Sequence, residues 1–212
     1  MRLPAGDDVR RRFEQQGALL VSDFLSPAES EVLAARAASV AAQWALHIRR
    51  SSEGSTLDYR VVTGDVIQKD AAPIYEMYEA TQLLEWIRRV TASPTVGLSP
   101  HVRSAVNINV LDTVGQQYRW HTDAVPFTTL LFLTTLPSSA GGELLIRTRQ
   151  DQVMTVAPAA GQLVLMDGQQ CAHAVAPLRD NTLRITVPMV FPAYHIKRPP
   201  GLDDYLYRES GQ

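Results

Sequence analysis

The sequence predicts an α+β chain, mainly β with N-terminal helices, in which the helices pack on one sheet of a jelly-roll core. Three observations predict it. The first hundred residues hold two long stretches of helical period. After His101 the apolar period changes to two. Eight short candidate strands then follow with no helix between them, which argues against a parallel βαβ sheet and matches the eight-stranded roll. At 212 residues, with no low-complexity spacer, the chain reads as a single domain: a helical elaboration over 1–100, a core over 101–195 and a C-terminal tail over 196–212.

Each element has a local reason. Asp7 to Gln16 reads as a short polar helix closed by Gly17, and ALLV (18–21) as a short strand. SPAE (26–29) is a helix start: Ser26 caps, Pro27 suits the first helical position, and Glu29 reaches back to complete a capping box. Leu33, Ala37, Val40 and Trp44 then recur at helical spacing, the signature of a stripe packed on a core. Residues 51–57 read as a loop and 58–68 as a strand or hairpin. Over 72–90 a second helical face carries Met77, Ala80, Leu84 and Ile87. Two Ser-Pro pairs within 93–101 mark the passage into the β region. The strands are expected at 105–111, 118–122, 128–135, 143–147, 153–157, 162–166, 172–177 and 183–191, bounded by Gly, Pro, Asp or Asn turns. The tail YHIKRPPGLDDYLY is expected either to fold across the mouth of the barrel or to lie on the surface.

Composition narrows the function. With 45% hydrophobic and 20% charged residues, the chain can bury a core without disulfides or a structural metal. A net charge of −2 and a pI near 6.2 argue against a phosphate-backbone partner, and Arg10, Arg11 and Arg12 read as a solvated helix face. The single cysteine, Cys171, forms no intrachain disulfide and suits a reducing cytoplasm; it reads as a small buried hydrophobe. The N-terminus lacks the apolar region of a signal peptide, and no apolar run approaches a membrane span. No nucleic-acid partner and no membrane are therefore expected.

The chemistry concentrates in QYRWHTDAVPF (117–127). A lone His-x-Asp is weak, because an ordinary hydrogen-bonded pair explains it equally well. Its context strengthens it. In an extended segment residues two apart face the same way, so His121 and Asp123 can both reach one metal ion. His173 lies 52 residues on, at the start of the seventh candidate strand. In the last strand Arg184 and Thr186 share a face opposite Ile185, Val187 and Met189. An arginine opposite an apolar row is buried or points into a cavity, and a buried guanidinium calls for a carboxylate. No acid in that strand provides one, so a ligand's carboxylate is the candidate. Two histidines and a carboxylate form the facial triad that holds non-haem Fe(II) with open coordination positions. The same three ligands could also hold zinc or manganese in a jelly-roll hydrolase or isomerase, and a non-catalytic binding roll is the third reading. Only the first of these gives Arg184 and Thr186 work.

The segments GQQYRWHTD (115–123), GGELLI (141–146), GQLVLMDG (161–168) and HAVAPLRDNTLRITV (173–187), in that order, resemble the Fe(II)/2-oxoglutarate-dependent oxygenases. The resemblance is to the prolyl-hydroxylase-like and phytanoyl-CoA-hydroxylase-like branches. The resemblance covers 105–191 and, more loosely, FEQQGALLVSDFLSPAESEVL. It implies a double-stranded β-helix of the cupin-like kind. It also implies Fe(II), 2-oxoglutarate as co-substrate and O2. His121, Asp123 and His173 would be the catalytic iron ligands, and Arg184 with Thr186 the oxoglutarate anchor. Asn109 and Leu111 resemble an Asn-x-Tyr pair that contacts oxoglutarate in relatives; with Leu111 in place of the tyrosine, Asn109 is the candidate. Tyr118 matches a family tyrosine near the substrate, although strict alternation turns it away from His121 unless the strand bulges. Trp120 alternates away from His121 and is expected in the core, a place over the substrate being its other reading. His47, His101 and His195 have no convergent partners and read as structural or exposed. Related halogenases lack the carboxylate ligand and leave its place to chloride. Asp123 therefore implies hydroxylation of a C–H bond of a small molecule, an amino acid or natural-product intermediate, with decarboxylation of oxoglutarate to succinate. A protein-prolyl substrate is the alternative within the family.

Overall fold

The computed structural model describes residues 1–52, 55–194 and 199–208. Helix α1 (Asp7–Gln16) ends at Gly17, which takes the left-handed conformation and donates its N–H to the Phe13 carbonyl at 2.7 Å. A Cβ at Gly17 would also collide with the Cys171 sulfur, so two constraints select glycine there. Strand β1 (Ala18–Val21) follows, then α2 (Pro27–Trp44) with the expected capping box between Ser26 and Glu29. Ala37 and Val40 are buried along α2, whereas Trp44 is 46% exposed; the apolar stripe ends one turn early.

The expected loop at 51–57 is instead the tip region of an antiparallel hairpin. Strands β2 (Leu46–Ser52) and β3 (Ser55–Val62) pair in register, with Ile48 opposite Tyr59 and Arg50 opposite Leu57; residues 53 and 54 lie outside the described residues. The helical stretch at 72–90 divides at Ala80 into α4 (Ala72–Glu79) and α5 (Thr81–Thr91), preceded by α3 (Gly64–Asp70). A short α6 (Val102–Ala105) takes the first residue, Ala105, of the strand expected at 105–111.

All eight expected strands are present: β4 (Ile108–Leu111), β5 (Tyr118–His121), β6 (Phe127–Phe132), β7 (Leu144–Arg147), β8 (Val153–Val156), β9 (Leu163–Asp167), β10 (His173–Val175) and β11 (Arg184–Phe191). They form two antiparallel sheets. The larger has the order β1-β9-β6-β11-β4-β3-β2, the smaller β5-β10-β7-β8. Three of the seven strands in the larger sheet thus come from the first hundred residues, which are not purely helical.

Strand alternation sorts the core into two layers. Ile185, Val187, Met189 and Phe191 of β11, with Ile108 and Val110 of β4, face the helices. Leu111, Leu130 and Phe132 face the smaller sheet and meet Leu144, Ile146 and Val175. Arg184 and Thr186 belong to that second, inter-sheet face, buried at 1% each. Helix α7 (Leu202–Tyr207) lies in the segment expected as a tail. The buried Tyr207 hydroxyl donates to Asn107 Oδ1 at 3.0 Å, and Arg50 donates to the Tyr205 and Leu206 carbonyls while its guanidinium stacks on the Tyr205 ring. Among the described residues no helix is long and apolar enough to cross a membrane.

Candidate active site

Strands β5 and β10 bring the two histidines together. His121 and His173 are direct cross-strand partners, so their side chains leave the same face, and their ring centroids stand 4.3 Å apart. The next pair in the ladder is Tyr118 with Val175: three residues advance on β5 against two on β10. This bulge adds one residue and reverses the parity, so Tyr118 shares a side with His121, at 6.3 Å between rings. Simple alternation turns it away.

Asp123 completes the cluster from the loop after β5. Its N–H donates to the Gly168 carbonyl at 2.7 Å, and its Oδ2 accepts the Thr128 hydroxyl at 2.6 Å. The other oxygen, Oδ1, lies 3.6 Å from His173 Nε2 and 3.9 Å from His121 Nε2. A Cβ at Gly168 would stand 2.9 Å from Asp123 Cβ and Cγ and closer still to Oδ2. Neither Gly168 nor Thr128 carries a metal-binding side chain, so a search for ligand types passes over both. Their sequence signal is position: Gly168 follows β9, at the end of the GQLVLMDG segment, and Thr128 lies within β6.

One donor atom each from His121, Asp123 and His173 lies within 4.8 Å of the other two. Both rings are fixed in the same tautomer. His121 Nδ1 meets the Arg119 carbonyl at 2.7 Å and His173 Nδ1 the Cys171 carbonyl at 3.1 Å. A carbonyl only accepts, so Nδ1 carries the proton and the Nε2 lone pair faces the cluster. Burial lowers the His173 pKa; Asp123 opposes the shift and His121 adds to it. The buried ring is thus held in its neutral, ligating form.

Arg184 lies deeper. Its Nε donates to the Gly142 carbonyl at 2.8 Å and Nη1 to the Thr186 hydroxyl at 3.3 Å, with the Phe132 ring 5.5 Å away. Nη2 is buried without a partner, and among the described residues no carboxylate pairs with this guanidinium. Burial pulls its pKa down to about 10. Asn109, the cross-strand partner of Thr186, points to the same side, and its Oδ1 is also buried and unsatisfied. The Tyr118 hydroxyl is a third such group, its pKa pushed well up by burial. Unsatisfied buried polar atoms are rare, and three near one arginine describe a site built for something else.

Trp120 does not take its expected core place. It is 45% exposed, with Arg147 5.7 Å from its ring, and it is not among the residues lining the cavity described next; the bulge that turns Tyr118 inward leaves Trp120 outside. Of the remaining histidines, His47 pairs with Asp58 at 2.8 Å on the surface, His101 lines the cavity, and His195 lies outside the described residues.

A cavity of about 1130 Å3 opens over the cluster. Tyr118, His121 and Asp123 reach it from the smaller sheet side, Arg50 and Tyr59 from the hairpin, and Leu202, Tyr205 and Leu206 from α7.

A family model described as "HalD: Halogenase D" matches residues 4–198. No curated protein matches the sequence. Among solved structures, a 2OG-Fe(II) oxygenase family oxidoreductase from Burkholderia pseudomallei superposes with a TM-score of 0.70 at 15% identity, over 92% of this chain and 94% of its own. SnoK, a non-haem alpha-ketoglutarate-dependent carbocyclase from nogalamycin biosynthesis, gives 0.72 at 16%, over 97% and 92%. A prolyl hydroxylase from Trichoplax adhaerens, in complex with a hypoxia inducible factor peptide, gives 0.72 at 14%, over 89% of each chain. The fold is therefore the jelly roll of the 2-oxoglutarate oxygenases.

Proposed function

The chain belongs to the halogenase D family, and from that premise we propose that it is an Fe(II)- and 2-oxoglutarate-dependent dioxygenase that hydroxylates a C–H bond of a small molecule. The observation that carries the reading is the pairing of two features. One is a three-donor cluster with both Nε2 lone pairs presented. The other is a fully buried guanidinium with which no carboxylate among the described residues pairs. A metal-dependent hydrolase or isomerase would use the first and has no need of the second.

His121, Asp123 and His173 would hold the iron, and Arg184 with Thr186 and Asn109 the far carboxylate of the co-substrate. The orphaned Arg184 Nη2 supports this fit, because a ligand's carboxylate would give it the acceptor it lacks. When bound, iron and oxoglutarate together supply activated dioxygen, with succinate and carbon dioxide as co-products. The chain's own residues do the rest. The Arg119 and Cys171 carbonyls keep the two Nδ1 protons in place, and Thr128 and Gly168 aim the Asp123 carboxylate. Tyr118 and the apolar walls exclude water from the substrate side.

Asp123 also bears on the outcome. A halide can take a ligand position only where the protein leaves it vacant. Here a carboxylate fills that place, hydrogen-bonded and with room provided by Gly168. Hydroxylation is favoured over halogen transfer for this member, despite the family's description. The structural neighbours include a carbocyclase and an epimerase, so the walls of the cavity rather than the fold would select the outcome. Closure of one side by α7 favours a compact molecule over an extended peptide.

The test is anaerobic addition of Fe(II) and 2-oxoglutarate. A weak visible charge-transfer band should form, and it should disappear in His121→Ala and in Arg184→Ala at the same oxoglutarate concentration. Admission of oxygen with a substrate should yield succinate and a product heavier by one oxygen atom. No band and no succinate from the wild type would overturn the reading.

A further inference from the structure

Tyr118 belongs to two spaces at once. It lines the cavity and is only half-buried, yet its hydroxyl oxygen is fully buried and has no hydrogen-bond partner. The hydroxyl therefore points away from the opening, into the protein. The bulge that brings Tyr118 to the His121 side also packs it against the inter-sheet layer that holds Leu111, Phe132 and Val175. Tyr59 covers its ring from the hairpin, with centroids 4.6 Å apart.

Arg184 enters the same layer from the opposite sheet. It does not line the cavity, and its Nε reaches across to the Gly142 carbonyl, two residues before β7. From there the smaller sheet leads to Tyr118 in two steps: Leu144 stands opposite Val175, and Val175 opposite Tyr118. The two groups influence each other. Burial, and then the neighbouring Tyr59, pushes the Tyr118 pKa well up, and the Arg184 charge opposes the rise. Burial pulls the Arg184 pKa down, and Tyr118 opposes that fall. Tyr118 thus keeps its proton at neutral pH and is a donor without an acceptor. Arg184 Nη2 is another. Thr186 accepts from Arg184 Nη1, which leaves its own proton to be given. Buried donors without an acceptor are costly, and three of them in one layer suit an anion.

We propose that the Tyr118 hydroxyl donates to the far carboxylate of 2-oxoglutarate beside Arg184, so that this one residue binds the co-substrate with its hydroxyl and walls the substrate cavity with its ring. The assignment rests on the oxygenase reading for the identity of the ligand. It departs from the place beside the substrate that the resemblance implies for this tyrosine. Calorimetry on Zn(II)-loaded protein tests it without turnover. Two ligands are compared: 2-oxoglutarate, and oxalate, which chelates the metal but has no far carboxylate to offer.

Tyr118→Phe retains the ring and removes a hydroxyl that has no partner in the free protein, so the variant should fold as the wild type does. It should weaken oxoglutarate by about tenfold or more, the loss expected of one hydrogen bond to a charged group, and leave oxalate unchanged. In wild type carrying ring-labelled tyrosine, the NMR resonance that is missing from Tyr118→Phe should shift with oxoglutarate and hold its place with oxalate. Equal weakening of both ligands, or of neither, would overturn the proposal. So would a resonance that moves equally with both. A protein whose oxoglutarate binding is lost in Arg184→Met but indifferent to Tyr118→Phe refutes this role alone. A wild type that binds no oxoglutarate refutes the oxygenase reading, and the role with it.

Discussion

Asp123 fits against Gly168 in a space that any side chain at 168 would occupy: the Asp123 amide donates to the Gly168 carbonyl at 2.7 Å, and its carboxylate lies where a Cβ would project. The backbone at Gly168 does not have a positive φ, so alanine is conformationally acceptable and acts only through this contact. Gly168→Ala should keep the fold and lower metal affinity by about 10- to 100-fold, the range seen when groups supporting a ligand are disturbed. Titration with Co(II), followed by its visible spectrum, measures this. An unchanged affinity would show that the carboxylate position does not depend on the missing side chain.

Thr128 tests the same carboxylate from its other side. Thr128→Val keeps the shape and removes the hydroxyl that Asp123 Oδ2 accepts at 2.6 Å. Metal affinity should fall by about tenfold and recover in Thr128→Ser. Loss of affinity in Thr128→Ser with none in Thr128→Val would indicate a packing effect of the methyl group instead.

Arg184 should trade stability for binding. Among the described residues its buried charge has no ionic partner, and the pKa drawn down to about 10 records the cost of burial. Since the folded pKa is depressed, this cost is fully present at pH 7 and is relieved only as pH rises through about 10. Arg184→Met should therefore stabilise the ligand-free protein by about 1–3 kcal/mol in denaturant melts. The same change should weaken oxoglutarate by roughly 100-fold, as expected for a lost charge-assisted pair. A destabilised variant with normal oxoglutarate affinity would refute the anchor role.

His173 gives a pH dependence of defined sign. Its folded pKa lies below the ordinary value near 6.5 because the ring is buried. Below that ordinary value the unfolded chain takes up a proton that the folded chain resists, so stability falls as pH drops and is unaffected above it. Metal-free wild type should lose melting temperature between pH 7 and 5.5 more steeply than His173→Gln. Parallel curves would remove His173 as the source.

Arg50 ties α7 to the hairpin through the Tyr205 and Leu206 carbonyls and the Tyr205 ring. Arg50→Ala should lower the local stability of α7 by about 1–2 kcal/mol. Faster amide hydrogen exchange confined to residues 202–207 would register it. Exchange unchanged there would assign the docking to Tyr207 alone.

The alternating strands after residue 101 were legible because each keeps one face for each core layer, as Ile185 and Val187 against Arg184 and Thr186 show. So were His121, Asp123, His173 and Arg184 as a group, since their residue types are rare in strands and their order is informative. The misreadings occur where the period is broken. Ser, Thr and Gly make up most of 51–57, so composition disguises the end of the hairpin as a loop, although Leu57 there lines the cavity. The bulge in β5 adds a residue that no local composition announces, and it exchanges the expected places of Tyr118 and Trp120. Both departures lie at the site, where local regularity yields to the shape of a ligand.

The two halves of the site stand on different sheets. His121 and His173 belong to the four-stranded sheet, Arg184 and Thr186 to the seven-stranded one. On the reading proposed above, the thickness of the layer between them, filled by Leu111, Phe132 and Ile146, is a molecular caliper for the co-substrate. A 2-oxo diacid one carbon shorter or longer would fall short of the arginine or crowd it. Substitutions in that layer would then recalibrate which diacid the enzyme accepts without touching a single ligand.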